Sequence, residues 1–272
     1  MSPNQRFPTL FIPHGGGPCF FMDPPLGQPG MWDQMAAYLR AIDNSLGTRP
    51  KALLVISGHW DSAKPKVNNS PKHSLLFDYY GFPEYTYQLT WPAPGSPTLA
   101  ARARDLLKAG GFASDADDHR GLDHGVFVPF KLIYPNADVP VVQLSLQSNF
   151  DAAEHLAIGR ALAPLREEGV LIVGSGMSYH NLRTFFTDDP RVVKPAEEFD
   201  QWLYDAVTSA DAKQRDAKLA QWLGAPGALA CHPTPEHLLP LMVAAGAANE
   251  DRGQRTYSDR LLGKPVSGFQ FG

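Results

Sequence analysis

The chain has 272 residues, of which 43% are hydrophobic, and its formal net charge is −4. This length and composition suit one large α/β domain with a substantial buried core. Charges of both signs are mixed along the chain without a basic stripe, so we expect no nucleic-acid partner.

The sequence also lacks the usual signals for membranes and secretion. No apolar run reaches the ~18 residues of a membrane span, and residues 1–7 lack the basic-then-apolar pattern of a signal peptide. Only two cysteines occur, Cys19 and Cys231, too few for a disulfide framework. We therefore expect a cytoplasmic protein with two reduced thiols and no membrane partner.

Four short apolar runs end in turn signals and are predicted to be strands. They cover residues 9–13, 52–56, 139–146 and 170–173. The runs are apolar on both faces and rich in β-branched residues, which is typical of a sheet covered by helices on both sides.

Four helical segments are predicted between and after these strands. In the segment 96–109, Ser96 is the expected N-cap, Pro97 occupies the first turn and Gly110 follows the last residue. The others cover residues 151–168, 196–207 and 234–245.

Strands that alternate with helices predict an α/β fold with a mostly parallel or mixed central sheet and helices on both faces. No repeat, linker or composition shift marks a boundary, so residues 1–272 are predicted to form a single catalytic domain. In such sheets, sites form beyond the carboxyl ends of the strands. We therefore expect the functional residues there.

Three histidines follow predicted strands and lie near glycine. His14 precedes three glycines, His59 follows one, and His180 comes shortly after the 170–173 strand. Glycine lets the backbone turn sharply and approach a ligand closely. Because the carboxyl ends of parallel strands share one edge of a sheet, we expect these imidazoles to meet.

Two further histidines lie in similar turns. His124 follows Asp123 in a glycine-bracketed turn, and His237 is at the start of the predicted 234–245 helix. Five imidazoles together favour Zn, Fe or Cu over Mg, although spacing alone also permits a metal-free acid–base site. The remaining histidines are predicted outside the site, with His155 on the polar side of its helix: His73, His119, His155 and His232.

Five motifs in one order then carry a family resemblance. They are His14-Gly-Gly-Gly-Pro18, Ser57-Gly-His-Trp60, Gly121-Leu-Asp-His-Gly125, Ser178-Tyr-His-Asn-Leu-Arg183 and Pro233-Thr-Pro-Glu-His-Leu-Leu-Pro240, and the segment Asp78-Tyr-Tyr-Gly-Phe-Pro83 fits as well. The chain resembles the class III extradiol ring-cleavage dioxygenases, in particular their DOPA 4,5-dioxygenase branch. It resembles the catalytic subunit of protocatechuate 4,5-dioxygenase more distantly. The likeness runs from Leu10 to about Ala245.

The resemblance implies a non-haem metal at the strand ends, most often Fe(II), with Zn(II) as a bound or substituted ion. By position, His14 and His59 match two metal ligands and His237 matches the third. The wider class uses a glutamate as its third ligand, completing a two-histidine, one-carboxylate face. Glu236, next to His237, is therefore the alternative to His237, and the resemblance also leaves open that His180 reaches the metal.

The resemblance also implies the substrates, a small-molecule catechol and O₂, and a hydroxymuconic semialdehyde-type product. His180 matches the base that takes a hydroxyl proton, and His124 matches an acid–base histidine that assists as the O–O bond breaks. Four aromatic residues are candidates for the pocket wall, or for ordinary packing: Trp60, Tyr79, Tyr80 and Phe82.

One departure leaves the substrate open. The first motif has three glycines where many relatives have His-Gly-Ser-Pro, which indicates a distinct subgroup. Two other classes also stay open on the residues alone. A zinc-dependent hydrolase, amidase-like or esterase-like, would use the same histidines to activate water. A non-enzymatic binding protein would keep the fold without the reaction. The oligomeric state is not predicted.

Overall fold

An eight-stranded sheet organises the chain in the computed structural model, which describes residues 6–23 and 25–272. Within these residues the strands are β1 (Thr9–Pro13), β2 (Ala52–Ser62), β3 (Lys66–Asn68), β4 (Asp115–Asp117), β5 (Val141–Gln147), β6 (Val170–Gly176), β7 (Gly253–Leu261) and β8 (Lys264–Phe271).

The sheet is mixed, with the order β4-β3-β5-β2-β6-β1-β8-β7. Its centre is parallel, since β2 pairs with β5 and β6 and β1 pairs with β6 in that sense. The hairpin of β7 and β8 adds antiparallel pairs at one edge, and β3 runs antiparallel to β5 at the other. The predicted α/β class with a mixed central sheet is therefore confirmed.

Eight α-helices connect and cover the strands in the described residues. They are α1 (Asp33–Ser45), α2 (Pro97–Ala109), α3 (His124–Ile133), α4 (Ala152–Leu162), α5 (Pro190–Val207), α6 (Ala212–Ala220), α7 (Ala228–Cys231) and α8 (Leu239–Ala247). The predicted cap of α2 is present, because the Ser96 hydroxyl accepts a hydrogen bond from the Leu99 N–H at 3.2 Å.

Strand β6 shows that helices cover both faces of the sheet. A Cβ on Gly174 would lie 2.3 Å from the Pro240 carbonyl oxygen of α8. The next side chain, Ser175, points the other way and donates to the Gly125 carbonyl of α3. Because successive strand side chains face opposite sides, α8 and α3 pack on opposite faces. Glycine at position 174 allows the backbone of α8 to approach.

Strand β2 is longer than predicted. The apolar run 52–56 is the buried part, but pairing with β5 resumes at Asp61 and Ser62 after an irregularity that begins at Ile56. His59 therefore lies in this irregular part of β2 and not in a turn beyond the strand. Residues 57–62 extend the strand because β5 lies beside them. Their polar side chains alone do not predict this pairing.

The last predicted helix begins later than expected. Residues 235–238 form a turn, and α8 starts at Leu239, with Pro240 in its first turn. The His237 carbonyl accepts a hydrogen bond from the Met177 N–H at 3.0 Å, which is a tertiary contact. Because the His237 carbonyl accepts this tertiary hydrogen bond, it does not accept one within the helix, and His237 precedes α8.

Helix α5 also differs, since it begins at Pro190 and not at residue 196. Asp189 caps it by accepting from the Arg191 N–H at 2.8 Å. In the described part of the chain, every helix is too short or too polar to cross a membrane. Cys19 and Cys231 are both buried free thiols.

Candidate metal centre

A cavity of about 530 Å³ opens at the carboxyl ends of the parallel strands. The structure brings all five predicted site histidines to its wall, although they come from separate segments of the chain. They are His14, His59, His124, His180 and His237.

His14 is buried at the end of β1 and has one free ring nitrogen. Its Nδ1 lies 3.0 Å from the Gly15 carbonyl oxygen, whereas its Nε2 has no hydrogen-bond partner. Gly15 has φ +81°, and a Cβ there would lie 2.4 Å from Cys19 Sγ. A histidine whose Nδ1–H donates to a carbonyl presents Nε2 as a lone pair, as metal-binding histidines do.

His59 and His237 face each other across the cavity floor, with their Nε2 atoms 3.1 Å apart. Each Nδ1 lies near a carboxylate: Asp78 Oδ2 is 3.5 Å from His59, and Glu236 Oε1 is 3.4 Å from His237. If both Nδ1 atoms carry a proton toward these acids, two Nε2 lone pairs meet. A shared cation removes that repulsion.

The spacing of the three imidazoles fits a metal ion. One ring nitrogen from each of His14, His59 and His237 lies within 4.8 Å of the others. Metal–nitrogen bonds of about 2.0–2.1 Å place neighbouring ligand atoms roughly 3 Å apart. The unpartnered His14 Nε2 and the short His59–His237 separation are both explained by an ion between these rings.

Two glycines let the His237 turn reach His59. A Cβ on Gly176 would lie 2.1 Å from the His237 carbonyl oxygen, and one on Gly58 would lie 3.0 Å from the Glu236 carbonyl oxygen. Any larger residue at position 176 would push the turn away from the strand ends. Glycines near the histidines thus allow two backbone segments to lie in contact, in addition to allowing sharp turns.

Burial keeps these imidazoles neutral. It lowers the pKa values of His14, His59 and His237 well below 6.5, and the repulsion that their protonated forms would experience from one another lowers these pKa values further. Burial and then the charge of His124 lower the pKa of His180 to about 4. The neutral form is the one that binds metal, so the cluster is suited to a cation.

His180 follows β6 and stacks on His237, with ring centroids 3.4 Å apart and an interplanar angle of 11°. Its backbone N–H donates to the Cys231 carbonyl at 3.0 Å, which fixes the loop. Its Nδ1 lies 3.9 Å from Glu236 Oε1. His180 is therefore adjacent to the three-histidine group and outside it.

His124 begins α3 and is held by Asp78. Asp78 Oδ1 accepts from His124 Nδ1 at 2.7 Å and from the His124 backbone N–H at 3.0 Å. Burial alone would raise the pKa of Asp78, but hydrogen bonds and charges from His124 and His59 bring it below 3.8. The Asp78 carboxylate therefore faces two of the five histidines.

Sequence reasoning did not single out Asp78. The residue begins the segment Asp78-Tyr-Tyr-Gly-Phe-Pro83, which contributes to the resemblance, but only the aromatic side chains of that segment were predicted to lie near the site. Its loop is far in sequence from both histidines, so spacing gave no sign of the contact. The available signal was an acid in an otherwise aromatic motif.

Asp123, the residue before α3, holds the start of this helix through hydrogen bonds of its carboxylate. Its fully buried carboxylate accepts from Ser57 Oγ at 2.7 Å, from Arg120 Nη2 at 3.2 Å and from the Gln143 side-chain amide. Burial, followed by the charge of Asp78, raises its pKa. These contacts join β2 and β5 to the turn that carries His124.

The four candidate aromatic residues occupy different places. Phe82 lines the cavity. Tyr79 lies beside His124, at 5.8 Å between ring centroids, with its hydroxyl donated to the Thr86 carbonyl. Tyr80 is 91% exposed, and Trp60 packs under the Arg120 guanidinium outside the cavity.

The other histidines lie outside the cavity, as expected, but His155 is not on a polar face. It is fully buried in α4, where its Nε2 accepts from the Gln147 N–H at 3.1 Å and its Nδ1 donates to the Asp151 carbonyl. His232 is also buried, 3.0 Å from the Ser178 carbonyl. Both imidazoles hold loops in place.

The chain belongs to a known family. Residues 8–267 match the family described as the catalytic LigB subunit of aromatic ring-opening dioxygenase. The protein is an extradiol ring-cleavage dioxygenase of the class III type, in the branch that contains the DOPA dioxygenases. Enzymes of this family depend on a non-haem metal, and the histidine cluster supplies a place for one.

Several relatives support this assignment. The chain is 46% identical to the 4,5-DOPA dioxygenase extradiol of Beta vulgaris, over 75% of each chain. It is 35% identical to the Escherichia coli K12 protein of the same name, covering 90% of this chain and 86% of that one. A solved structure described as an uncharacterized protein from Escherichia coli K12 superposes with a TM-score of 0.78 at 30% identity, over 98% of this chain and all of that one.

Proposed function

We propose that this enzyme cleaves a catechol-type ring beside one of its hydroxyl-bearing carbons, inserts both atoms of O₂ and releases a hydroxymuconic semialdehyde-type product. The observation that carries the proposal is the convergence of five imidazoles on one cavity. The name of the plant and bacterial relatives refers to DOPA, which is itself a substituted catechol. Residues 1–272 would act as one catalytic domain.

His14, His59 and His237 would hold the metal through their Nε2 atoms. We favour His237 over Glu236 because its ring nitrogen groups with those of His14 and His59, whereas Glu236 groups with His180 and His237. Fe(II) is the proposed ion, with Zn(II) as the alternative. Bound iron would supply the electron transfer between catechol and O₂ that zinc cannot provide.

His180 would remove a proton from a catechol hydroxyl. Its ring lies against His237 and lines the cavity, so a catechol bound at the metal ligands is within its reach. The pKa of His180 is lowered to about 4, so its imidazole is unprotonated at neutral pH. So weak a base would need a catechol hydroxyl whose own pKa the bound metal lowers.

His124 would act as the second acid–base group. Asp78 holds its Nδ1–H, so the opposite nitrogen, Nε2, is the atom left to exchange a proton with the oxygen that leaves as the O–O bond breaks. Asp78 also faces His59 Nδ1, so one carboxylate orients a proposed ligand and a proposed acid–base residue.

The cytoplasmic location remains a proposal based on the cysteines. Cys19 and Cys231 are buried and unpaired, and burial raises the pKa of each thiol to about 12. Such thiols are inert packing groups that need no oxidising compartment.

The test is oxygen uptake by the iron-loaded enzyme. The protein is loaded with Fe(II) without oxygen, then mixed with O₂ and a set of catechols while absorbance follows a yellow ring-opened product. We expect equal consumption of catechol and O₂. A fully iron-loaded protein that consumes no O₂ with any catechol, but hydrolyses esters or amides in its zinc form, would support the hydrolase alternative instead.

A further inference from the structure

The cavity wall carries no cationic side chain among the described residues that line it. Apart from the histidines, the described lining side chains are almost all apolar or aromatic, and Asp78 is the one carboxylate among them. The apolar and aromatic lining residues include Leu26, Trp32, Phe82, Leu182, Phe185 and Phe186. A ligand carboxylate buried here would therefore have no lysine or arginine to pair with.

The carboxylate of the wall is already engaged. Asp78 is held by His124 and faces His59, so it is not free to pair with a ligand ammonium group. A substrate carboxylate would find no lysine or arginine among the described lining residues, and the Gly16 N–H already faces Cys19 Sγ at 3.4 Å. The described wall thus offers a zwitterion neither a lysine or arginine for its carboxylate nor a free carboxylate for its ammonium group.

The mouth of the cavity is apolar and exposed. Leu182 is 68% exposed and Phe186 is 64% exposed, although both line the cavity. Beneath them Phe185 stacks parallel to Trp32, with ring centroids 6.4 Å apart. Large apolar side chains exposed at the edge of a pocket are typical of a site that receives an apolar group.

The cavity also has more room than one aromatic ring needs. A cavity of about 150 Å³ suffices for benzene, and this one is about 530 Å³. A catechol ring held against the histidines would leave the rest of this volume to the apolar side chains of the lining, which include Leu182 and Phe186. That space fits an alkyl or aryl substituent.

We infer that the substrate is a catechol with an uncharged apolar substituent, alkyl or aryl, and not a carboxylated catechol or a catechol amino acid. This inference rests on the proposed ring cleavage and narrows its substrate class. It separates this enzyme from the relatives whose name refers to DOPA, in agreement with the altered glycine motif at His14.

The first experiment compares substrates on the iron-loaded enzyme. Values of kcat/KM are measured for catechol, 4-ethylcatechol, 4-phenylcatechol, protocatechuate and DOPA, and anaerobic calorimetry measures binding of the same compounds. We expect the neutral substituted catechols to exceed the charged ones by roughly tenfold or more in both measurements. Equal or better binding and turnover of the charged compounds would overturn the inference.

The two proposals fail in different ways. If no catechol, including the unsubstituted one, is turned over, ring cleavage itself is refuted. In that case the binding order still tests the apolar preference of the cavity. If catechol is cleaved but protocatechuate or DOPA is preferred, only the substrate class is refuted.

A charge added at the mouth gives a second test. In Leu182→Arg and Phe186→Arg, the new cation could pair with a substrate carboxylate, and because both positions are exposed we expect normal folding. The ratio of kcat/KM for protocatechuate over 4-ethylcatechol should rise roughly tenfold. The control is Leu223→Arg, at a position 62% exposed that does not line the cavity. An unchanged ratio in both mouth variants, or an equal rise in the control, would contradict the inference.

Discussion

Asp78 accepts two hydrogen bonds from His124 through one oxygen, Oδ1, at 2.7 Å from the ring Nδ1 and 3.0 Å from the backbone N–H. Its other oxygen faces His59. A short loop thus links a proposed metal ligand of β2 with a proposed acid–base residue of α3. Such partners of metal-binding histidines fix the tautomer and the orientation of the ring.

The variant Asp78→Asn should therefore weaken both functions. It keeps the shape of the side chain but removes the charge that holds two Nδ1–H groups. We expect metal affinity and turnover each to fall about 10- to 100-fold, with little change in folding. Metal affinity is measured by competition with a chromophoric chelator and turnover by O₂ uptake.

The matched control is Asp118→Asn, which alters an exposed acid that contacts Asn69. It should leave affinity and turnover unchanged. Full metal affinity in Asp78→Asn would show that this carboxylate does not orient His59.

Alanine variants separate ligands from acid–base residues. His14→Ala, His59→Ala and His237→Ala should each lose bound metal, because each removes one of the three grouped nitrogens. His180→Ala should keep most of the metal and lose turnover. Metal content is measured by mass spectrometry on protein purified without oxygen. If Glu236→Ala empties the site while His237→Ala does not, the third ligand is Glu236.

Gly176→Ala tests the approach of the His237 turn. The added Cβ would lie 2.1 Å from the His237 carbonyl oxygen, so the turn must shift. We expect a loss of about 1–3 kcal/mol in the free energy of unfolding and a loss of metal binding. Denaturant unfolding and metal titration provide the two measurements.

Gly224→Ala is the corresponding control, because nothing lies within 4 Å of a Cβ at that position. It should be neutral within the error of the unfolding measurement. A neutral effect of Gly176→Ala as well would mean that the turn can move without cost.

Acid should destabilise the metal-free protein. Burial lowers the pKa values of His180 to about 4 and of His232 to about 3, against about 6.5 in the unfolded chain. Below pH 6.5 the unfolded chain binds more protons than the folded one at these residues, so the free energy of unfolding decreases as pH falls. Above pH 6.5 these two histidines are neutral in both states, so they no longer make the free energy of unfolding depend on pH.

The measurement is urea unfolding of the metal-free protein at pH 7.5 and 5.5, a window above the titration of ordinary carboxylates. We expect lower stability at pH 5.5. A gain in stability on acidification would mean that these imidazoles are protonated in the folded state.

Features that depend on neighbouring residues in the chain were predicted correctly from the sequence. The run Thr9–Pro13 is apolar on both faces and forms β1 with the predicted bounds, and Ser96 caps α2 as its position before Pro97 indicated. Glycine beside His14 and His124 correctly indicated turns that face a shared cavity.

Tertiary contacts explain what the sequence did not predict. The edge strands β7 and β8 depend on each other and on β1, and the start of α8 depends on the contact between Met177 and the His237 carbonyl. The role of Asp78 depends on a loop that meets His124 across 46 positions of the chain. Periodicity and capping rules cannot report such distant partners.

Anomalous diffraction at the iron edge, from crystals loaded with Fe(II) without oxygen, tests the central claim most directly. The three-histidine site predicts a single strong peak at about 2.0–2.2 Å from the Nε2 atoms of His14, His59 and His237. A peak bound instead by His180 and Glu236, or no peak in this cavity at full iron occupancy in solution, would contradict it.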